Sequence, residues 1–229
     1  MKKLSIIIPV YNEENTILQI LNKIKLCKIE NINFEIIVIN DGSSDSTLII
    51  LEANKSLYDI LINQKINSGK GMAVKKGLEV AKGDYVIFQD ADLEYDPKDY
   101  ISFINVFNEL NADVVIGSRF NYKNYSRSHN FFNKLSNGIL TFYFNILYNT
   151  TFTDIYCCYL AFKRNLLVVE NIKTKGFEQH AEILCNLVKA AEKLYEVPVD
   201  YDGRSKKEGK KIRFYHIFKI IFVIIKKRF

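Results

Sequence analysis

The chain is poor in the residues that mark special architectures. Three prolines and ten glycines in 229 residues, with no low-complexity tract, exclude collagen-like and linker-rich folds. No internal repeat is visible, which excludes a solenoid. The four cysteines, Cys27, Cys157, Cys158 and Cys185, form no CxxC pair and have no histidine at metal spacing. That argues for a reduced compartment and against a zinc site. The three histidines, His129, His180 and His216, are far apart in sequence, and none is assigned to catalysis. There is no GxSxG motif and no convincing Cys/His pair for nucleophilic catalysis. No apolar run approaches the ~18 residues of a membrane span, and no signal peptide precedes the first strand. The expected location is intracellular.

What is present is the composition of an ordinary globular protein: 48% apolar and 25% charged residues. The net charge of +6 is unevenly placed. From Arg204 to Phe229 ten basic residues accompany one acid, Glu208, a local net of +9 that leaves the rest of the chain about −3. A basic end on a slightly acidic body suits a polyanion: nucleic acid, a phosphorylated substrate or an anionic membrane.

Short runs rich in Ile and Val alternate with longer amphipathic stretches. Leu4–Val10, Phe34–Ile39, Asp59–Ile62, Tyr85–Phe88 and Asp113–Ile116 read as buried strands of a mainly parallel sheet. Helices are expected at Glu14–Leu26, Ser46–Lys55, Gly71–Ala81 and Pro97–Leu110, with Asp45, Ser46 and Asp96-Pro97 as start signals. Further on come a helix at Leu135–Tyr148, a short strand within Thr153–Lys163, a helix at Phe177–Leu194 and a strand-like Tyr195–Tyr201. The rhythm is that of one α/β domain, a mainly parallel sheet flanked by helices.

Each of the five strands is followed by a polar cluster: Tyr11–Glu14, Asn40–Asp45, Asn67–Gly71, Gln89–Asp92 and Gly117–Arg119. Ligands of open α/β sheets bind beyond the carboxyl ends of the strands, so these clusters mark the site. Asp90-Ala91-Asp92 places two carboxylates in DxD spacing directly after a buried strand. Mg²⁺ or Mn²⁺ would relieve their repulsion and clamp a diphosphate, with Glu94 either a further ligand or a solvated turn carboxylate. Asp41 could accept hydrogen bonds from a nucleobase or ribose. The loop Asn67–Gly71 could present backbone N–H groups and Lys70 to a phosphate, though without Walker A spacing.

Taken together, Ser5–Glu14 (SIIIPVYNEE), Asn40–Thr47 (NDGSSDST), Gly69–Lys82 and Gln89–Pro97 (QDADLEYDP) resemble family 2 glycosyltransferases of the GT-A fold. Gly117–Phe120, Thr153-Asp154, Cys158-Tyr159, Gly176–Glu178, Glu196–Pro198 and Tyr201–Ile212 (YDGRSKKEGKKI) are similar to the dolichol-phosphate mannosyltransferase-like branch, particularly its bacterial and archaeal polyprenyl-phosphate members. The resemblance implies a GT-A domain over residues 1–212 and a basic amphipathic helix over 213–229. It implies donor binding by Pro9, Tyr11, Glu13, Asp41, Asp90, Ala91 and Asp92, and a metal at Asp90, Asp92 and Glu94. Arg119, Arg204 and Lys210 match basic positions around donor and acceptor phosphates, with Asp92, Arg119 and Arg204 as the catalytic set. Tyr156-Cys157 and Gln179-His180-Ala181 depart from the family pattern near the sugar or acceptor pocket.

The implied reaction is inverting, metal-dependent transfer of a mannose- or glucose-type sugar from a GDP- or UDP-linked donor to polyprenyl phosphate. No nucleic acid is expected as a partner. A phosphate monoester has a second pKa of about 6, so this nucleophile needs cations more than a general base. Transfer to a glycan or lipid-linked oligosaccharide hydroxyl is the alternative enzyme, and a non-catalytic nucleotide-binding regulator the alternative class. The largely apolar segment Phe214–Ile225 between basic clusters suits either an interfacial helix on the cytoplasmic face of the membrane or a terminal helix packed on the domain.

Overall fold

The computed structural model describes residues 1–121, 131–203 and 216–229, the side chains of Asn133 and His216 apart. The runs of Ile and Val form strands because β-branched side chains pack well on a pleated surface buried on both faces. In chain order the elements are β1 (Lys2–Val10), α1 (Ile17–Leu26), β2 (Ile32–Asp41), α2 (Thr47–Ala53), β3 (Ile60–Gln64), α3 (Lys70–Val80) and β4 (Tyr85–Phe88). Then come α4 (Tyr100–Leu110), β5 (Val114–Ser118), α5 (Phe131–Tyr148), β6 (Leu160–Lys163), α6 (Gln179–Ala190), β7 (Leu194–Pro198) and α7 (His216–Arg228).

The seven strands form one sheet in the order β3-β2-β1-β4-β6-β5-β7. β6 alone runs antiparallel to its neighbours, β4 and β5. β1 lies near the middle, with Ile6 opposite Ile36 on β2 and Ile87 on β4. Ile6, Ile7, Ile8, Ile37, Val38 and Val86 are fully buried. α3 packs on β1 and β2, and the contact is close at Gly77, where a Cβ would stand 2.6 Å from Ile7 Cγ2 and 2.8 Å from Ile39 Cδ1.

The expected elements are present with shifted ends, and each shift has a local cause. α1 starts at Ile17, not Glu14, because Glu14 N–H donates to Asp45 Oδ2 at 3.2 Å and its own carboxylate accepts from Ser46 N–H at 2.9 Å. Both contacts hold residue 14 out of the helix. α6 stops at Ala190, not Leu194, because Asp113 Oδ2 accepts from Glu192 N–H and Lys193 N–H and draws the chain into β7. Only Leu160–Lys163 of the stretch from Thr153 is strand.

α7 packs on α5 and α6 through buried Ile220, Val223 and Ile224, leaving Phe218, Phe222 and Ile225 exposed. Lys227 Nζ lies 2.7 Å from Oε1 of the fully buried Glu182, and the Arg228 guanidinium sits 5.7 Å from the Tyr148 ring centroid. Packing therefore accounts for one face of this helix. No helix among the described residues is long and apolar enough to cross a membrane.

Candidate active site

Parallel strands put the ends of β1, β2, β3, β4, β5 and β7 on one edge of the sheet. The reversed strand β6 delivers its preceding residues, 153–159, to the same edge. Seven chain segments therefore meet there, the five read from the sequence and two more.

The first two are joined by hydrogen bonds. Asn12, at φ +54°, donates its N–H to Ser43 Oγ at 3.0 Å, while its Oδ1 accepts from Ser44 N–H at 2.8 Å. Glu13 N–H donates to Thr47 Oγ1 at 2.9 Å. Pro9 ends up half-buried and Tyr11 exposed at the rim. Asp41 is 3% exposed and serves the neighbouring loop. Its Oδ1 accepts from Gln64 Nε2 and Ser68 N–H, both at 2.8 Å, and its Oδ2 from Gly69 N–H at 2.9 Å.

That loop carries Lys70 to β4. Lys70 Nζ lies 2.5 Å from Asp90 Oδ1. Burial works against both charges, yet each stabilises the other: the Asp90 carboxyl is held below its ordinary range and the Lys70 ammonium above its own. Gly71 lets this loop pack against the backbone at Lys175 and Gly176, since a Cβ there would stand 2.4 Å from Lys175 O. Asp92 Oδ1 accepts from Glu94 N–H at 3.2 Å across a tight turn. Leu93 in that turn has φ +65°, strained for a bulky side chain, and such strain clusters at functional sites. Beneath it, buried Gln89 is fixed by Tyr100 and Tyr159, whose hydroxyls donate to its Oε1 at 2.5 and 2.7 Å. Ala91 is buried.

On the far side, Arg119 and Asp154 form a forked pair. Nε donates to Oδ2 at 2.6 Å and Nη2 to Oδ1 at 2.8 Å, with the Arg119 N–H adding a third bond to Oδ2 at 3.1 Å. Asp154 is fully buried; burial alone would raise its pKa, but the guanidinium lowers it below the usual carboxylate range. The Arg119 guanidinium also lies 5.2 Å from the Tyr201 ring centroid. Tyr201 bridges to Tyr95 and donates its hydroxyl to Glu94 Oε2 at 2.8 Å.

Residues 5–168 match the pattern of glycosyl transferase family 2. The chain belongs to this family. It is 31% identical over 173 residues to an undecaprenyl-phosphate 4-deoxy-4-formamido-L-arabinose transferase of Proteus mirabilis, covering 73% of this chain and 51% of that protein. It thus spans about half the length of that relative. It is also 31% identical over 215 residues to an uncharacterized protein of Methanocaldococcus jannaschii, covering 87% and 89% of the two chains. The fold matches glucosyl-3-phosphoglycerate synthase of Mycobacterium tuberculosis, solved with Mn²⁺, UDP and phosphoglyceric acid, at a TM-score of 0.70 and 17% identity. That match covers 99% of this chain and 78% of the other.

Within the family 2 fold, the structure brings Asp90, Ala91, Asp92 and Arg119 to one edge with Pro9, Tyr11, Glu13 and Asp41 along it. Glu94 Oε2 is engaged by the Tyr201 hydroxyl, and no cluster of three His, Cys, Asp or Glu among the described residues is placed to hold an ion. Two carboxylates nevertheless fit Mg²⁺ or Mn²⁺, since Mg²⁺ is commonly held by one or two carboxylates together with substrate phosphates and waters. The Lys70 ammonium already marks Asp90 as a cation position. Arg204 and Lys210 lie outside the described residues.

Sequence reasoning missed three residues. Asp154 is the partner of Arg119, and its motif position was the only signal. Glu196 on β7 accepts from Thr153 N–H at 2.9 Å, Thr153 Oγ1 at 2.8 Å and Asp154 N–H at 3.1 Å, so it fixes the turn that holds Asp154. His180 feels both Lys70 and Asp90; burial first, then the Lys70 ammonium, push its pKa down to about 4. Its Nε2 is buried with no hydrogen-bond partner among the described residues.

Proposed function

We propose that the protein transfers a glycosyl group from a nucleoside-diphosphate sugar to a polyprenyl phosphate, peripheral to the cytoplasmic membrane face. The observation that carries this reading is the meeting of two charge centres on one sheet edge: Lys70 with Asp90 and Asp92, and Arg119 with Asp154. The first suits a diphosphate and the second lies where an anionic acceptor would approach. The undecaprenyl-phosphate relative and the UDP and Mn²⁺ of the structural neighbour support the same substrate classes.

Asp90 and Asp92 would hold Mg²⁺ or Mn²⁺, which when bound draws charge from a departing diphosphate. Lys70 moves from Asp90 to a diphosphate oxygen, a short shift for a flexible ammonium stem. Pro9, Tyr11 and Glu13 border the nucleoside, and Asp41 shapes the loop beside it. The guanidinium of Arg119, its orientation set by Asp154, faces the acceptor phosphate, with Arg204 and Lys210 assigned to the same role from the sequence. An ionised phosphate nucleophile asks for alignment and charge stabilisation, which these residues supply, and not for a base. The exposed Phe218, Phe222 and Ile225 of α7, with Lys226, provide a peripheral membrane contact.

The test is purified protein with Mg²⁺ or Mn²⁺, a panel of GDP- and UDP-sugars, and two acceptors, a short prenyl phosphate and a glycan. Sugar transfer to the prenyl phosphate is the expected result. Product with glycan alone would establish the hydroxyl acceptor instead, and nucleotide binding without turnover a regulator.

A further inference from the structure

One face of α5 is apolar and open. Phe131, Leu135, Ile139, Phe142 and Tyr143 are all exposed, Phe131 by 70% and Phe142 by 62%, and with Gly138 they line an open groove of about 810 Å³. The spacing puts most of them on one stripe, i, i+4, i+8 and i+11, over roughly 16 Å of helix. Exposed apolar patches of this kind mark interaction sites. Its position shows what kind. Phe120 and Thr153, the chain neighbours of Arg119 and Asp154, form its wall, and Asn137 on the buried side of α5 donates to Asp154 Oδ1 at 2.9 Å.

Among the described lining residues the positive charge gathers at one place. The Phe120 ring carries the Arg119 guanidinium 5.8 Å from its centroid and the Lys134 ammonium at 5.6 Å. None of the described lining residues is acidic. The shape is therefore cationic beside the site and hydrocarbon along its length. Gly138 adds an independent observation. It stands in the interior of an 18-residue helix, where glycine costs about 1 kcal/mol relative to alanine. No packing requires it, because a Cβ there would meet nothing within 4 Å. Its missing side chain leaves the groove clear.

We propose that this groove seats the isoprenoid chain of the acceptor, with its phosphate held at the Arg119 end. The proposal rests on the prenyl-phosphate reading above and adds the site for the chain. A branched, anionic-headed hydrocarbon matches both the charge at one end and the apolar length.

The test titrates the full chain with isopentenyl, geranyl and farnesyl phosphate below their micelle concentrations, by calorimetry, with inorganic phosphate as headgroup control. Each buried methylene is worth about fourfold in affinity, so wild type should gain at least about tenfold from geranyl to farnesyl. In Gly138→Leu, which fills the groove, and Phe142→Ser, which removes a wall, that gain should shrink below about threefold. The melting temperature of Gly138→Leu should be no lower than that of wild type, because leucine is the better helix former. Affinity independent of chain length in wild type, or a full gain retained in both variants, overturns the proposal. So does a preserved farnesyl gain in variants that lose binding to anionic vesicles or lose a dimer; the groove would then face a bilayer or a second copy. Sugar transfer assayed alongside separates the two claims. No transfer to any prenyl phosphate rejects the acceptor reading, whereas transfer with unaltered chain-length dependence in the variants rejects the groove alone.

Discussion

The ammonium of Lys70 stands 2.5 Å from Oδ1 of Asp90, so the first carboxylate of the DxD sequence carries a resident cation. An incoming divalent ion must compete with it. Lys70→Met should therefore bind Mn²⁺ more tightly in the absence of nucleotide, by about tenfold, the equivalent of one charge-assisted hydrogen bond. The same change should weaken nucleoside-diphosphate binding in the presence of metal. Calorimetric titration of both ligands checks the two signs, and weaker Mn²⁺ binding by the variant would show that Lys70 assists the metal.

Asp92→Asn keeps the shape of the second carboxylate and removes its charge. Turnover should fall by orders of magnitude, while the melting temperature stays within a few degrees, because the turn lies beyond the core. Near-normal turnover of the variant in EDTA would exclude a metal clamp at this pair.

The forked Arg119–Asp154 pair is expected to be a stability element as well as an acceptor contact. Asp154→Asn leaves a largely buried guanidinium without its counter-charge and should cost about 3 kcal/mol in urea unfolding. The double variant Arg119→Met/Asp154→Asn should cost less than the sum of the two single changes.

His180 gives a pH signature. Its pKa is pushed down to about 4 in the folded protein, against about 6.5 in an unfolded chain. Between those values the unfolded state binds more protons, so stability falls as pH falls from about 6.5 to about 4, and the loss levels off below. The depressed value corresponds to about 3 kcal/mol. His180→Gln should flatten that part of the metal-free stability curve. An unchanged slope would mean that the imidazole titrates normally.

Lys226 and Lys227 are adjacent on α7 and are expected to differ. Lys227→Met removes the cation beside fully buried Glu182, whose carboxylate keeps its bonds from Lys173 N–H, Thr174 N–H and Thr174 Oγ1, and should destabilise by about 1–3 kcal/mol. Lys226 is exposed, so Lys226→Met should leave stability within about 0.5 kcal/mol while weakening binding to anionic vesicles about fivefold. Thermal melts and vesicle sedimentation separate the roles.

Much of this protein is legible in its sequence. Run length and periodicity are local properties, so Leu4–Val10 and Tyr85–Phe88 could be read as buried strands, and the polar clusters after them as one edge of a parallel sheet. Asp90 and Asp92 announced themselves by standing directly behind such a strand. What only the tertiary structure decided depends on contacts between distant segments. β6 runs against its neighbours, and that reversal alone carries Asp154 to Arg119. The hydroxyl of Tyr201, paired with Tyr95, engages Glu94 across 107 residues of sequence. The 18-residue helix α5 reads as amphipathic from its sequence, yet it is apolar on two faces: Leu140, Phe144 and Tyr148 enter the core, beside Asn137 and Thr141 bonded to Asp154 and Ile155, while Phe131, Leu135, Ile139 and Phe142 are left exposed. Periodicity shows that a helix has an apolar face. Which face meets the core is settled by the hydrogen bonds and packing of residues far away in the chain.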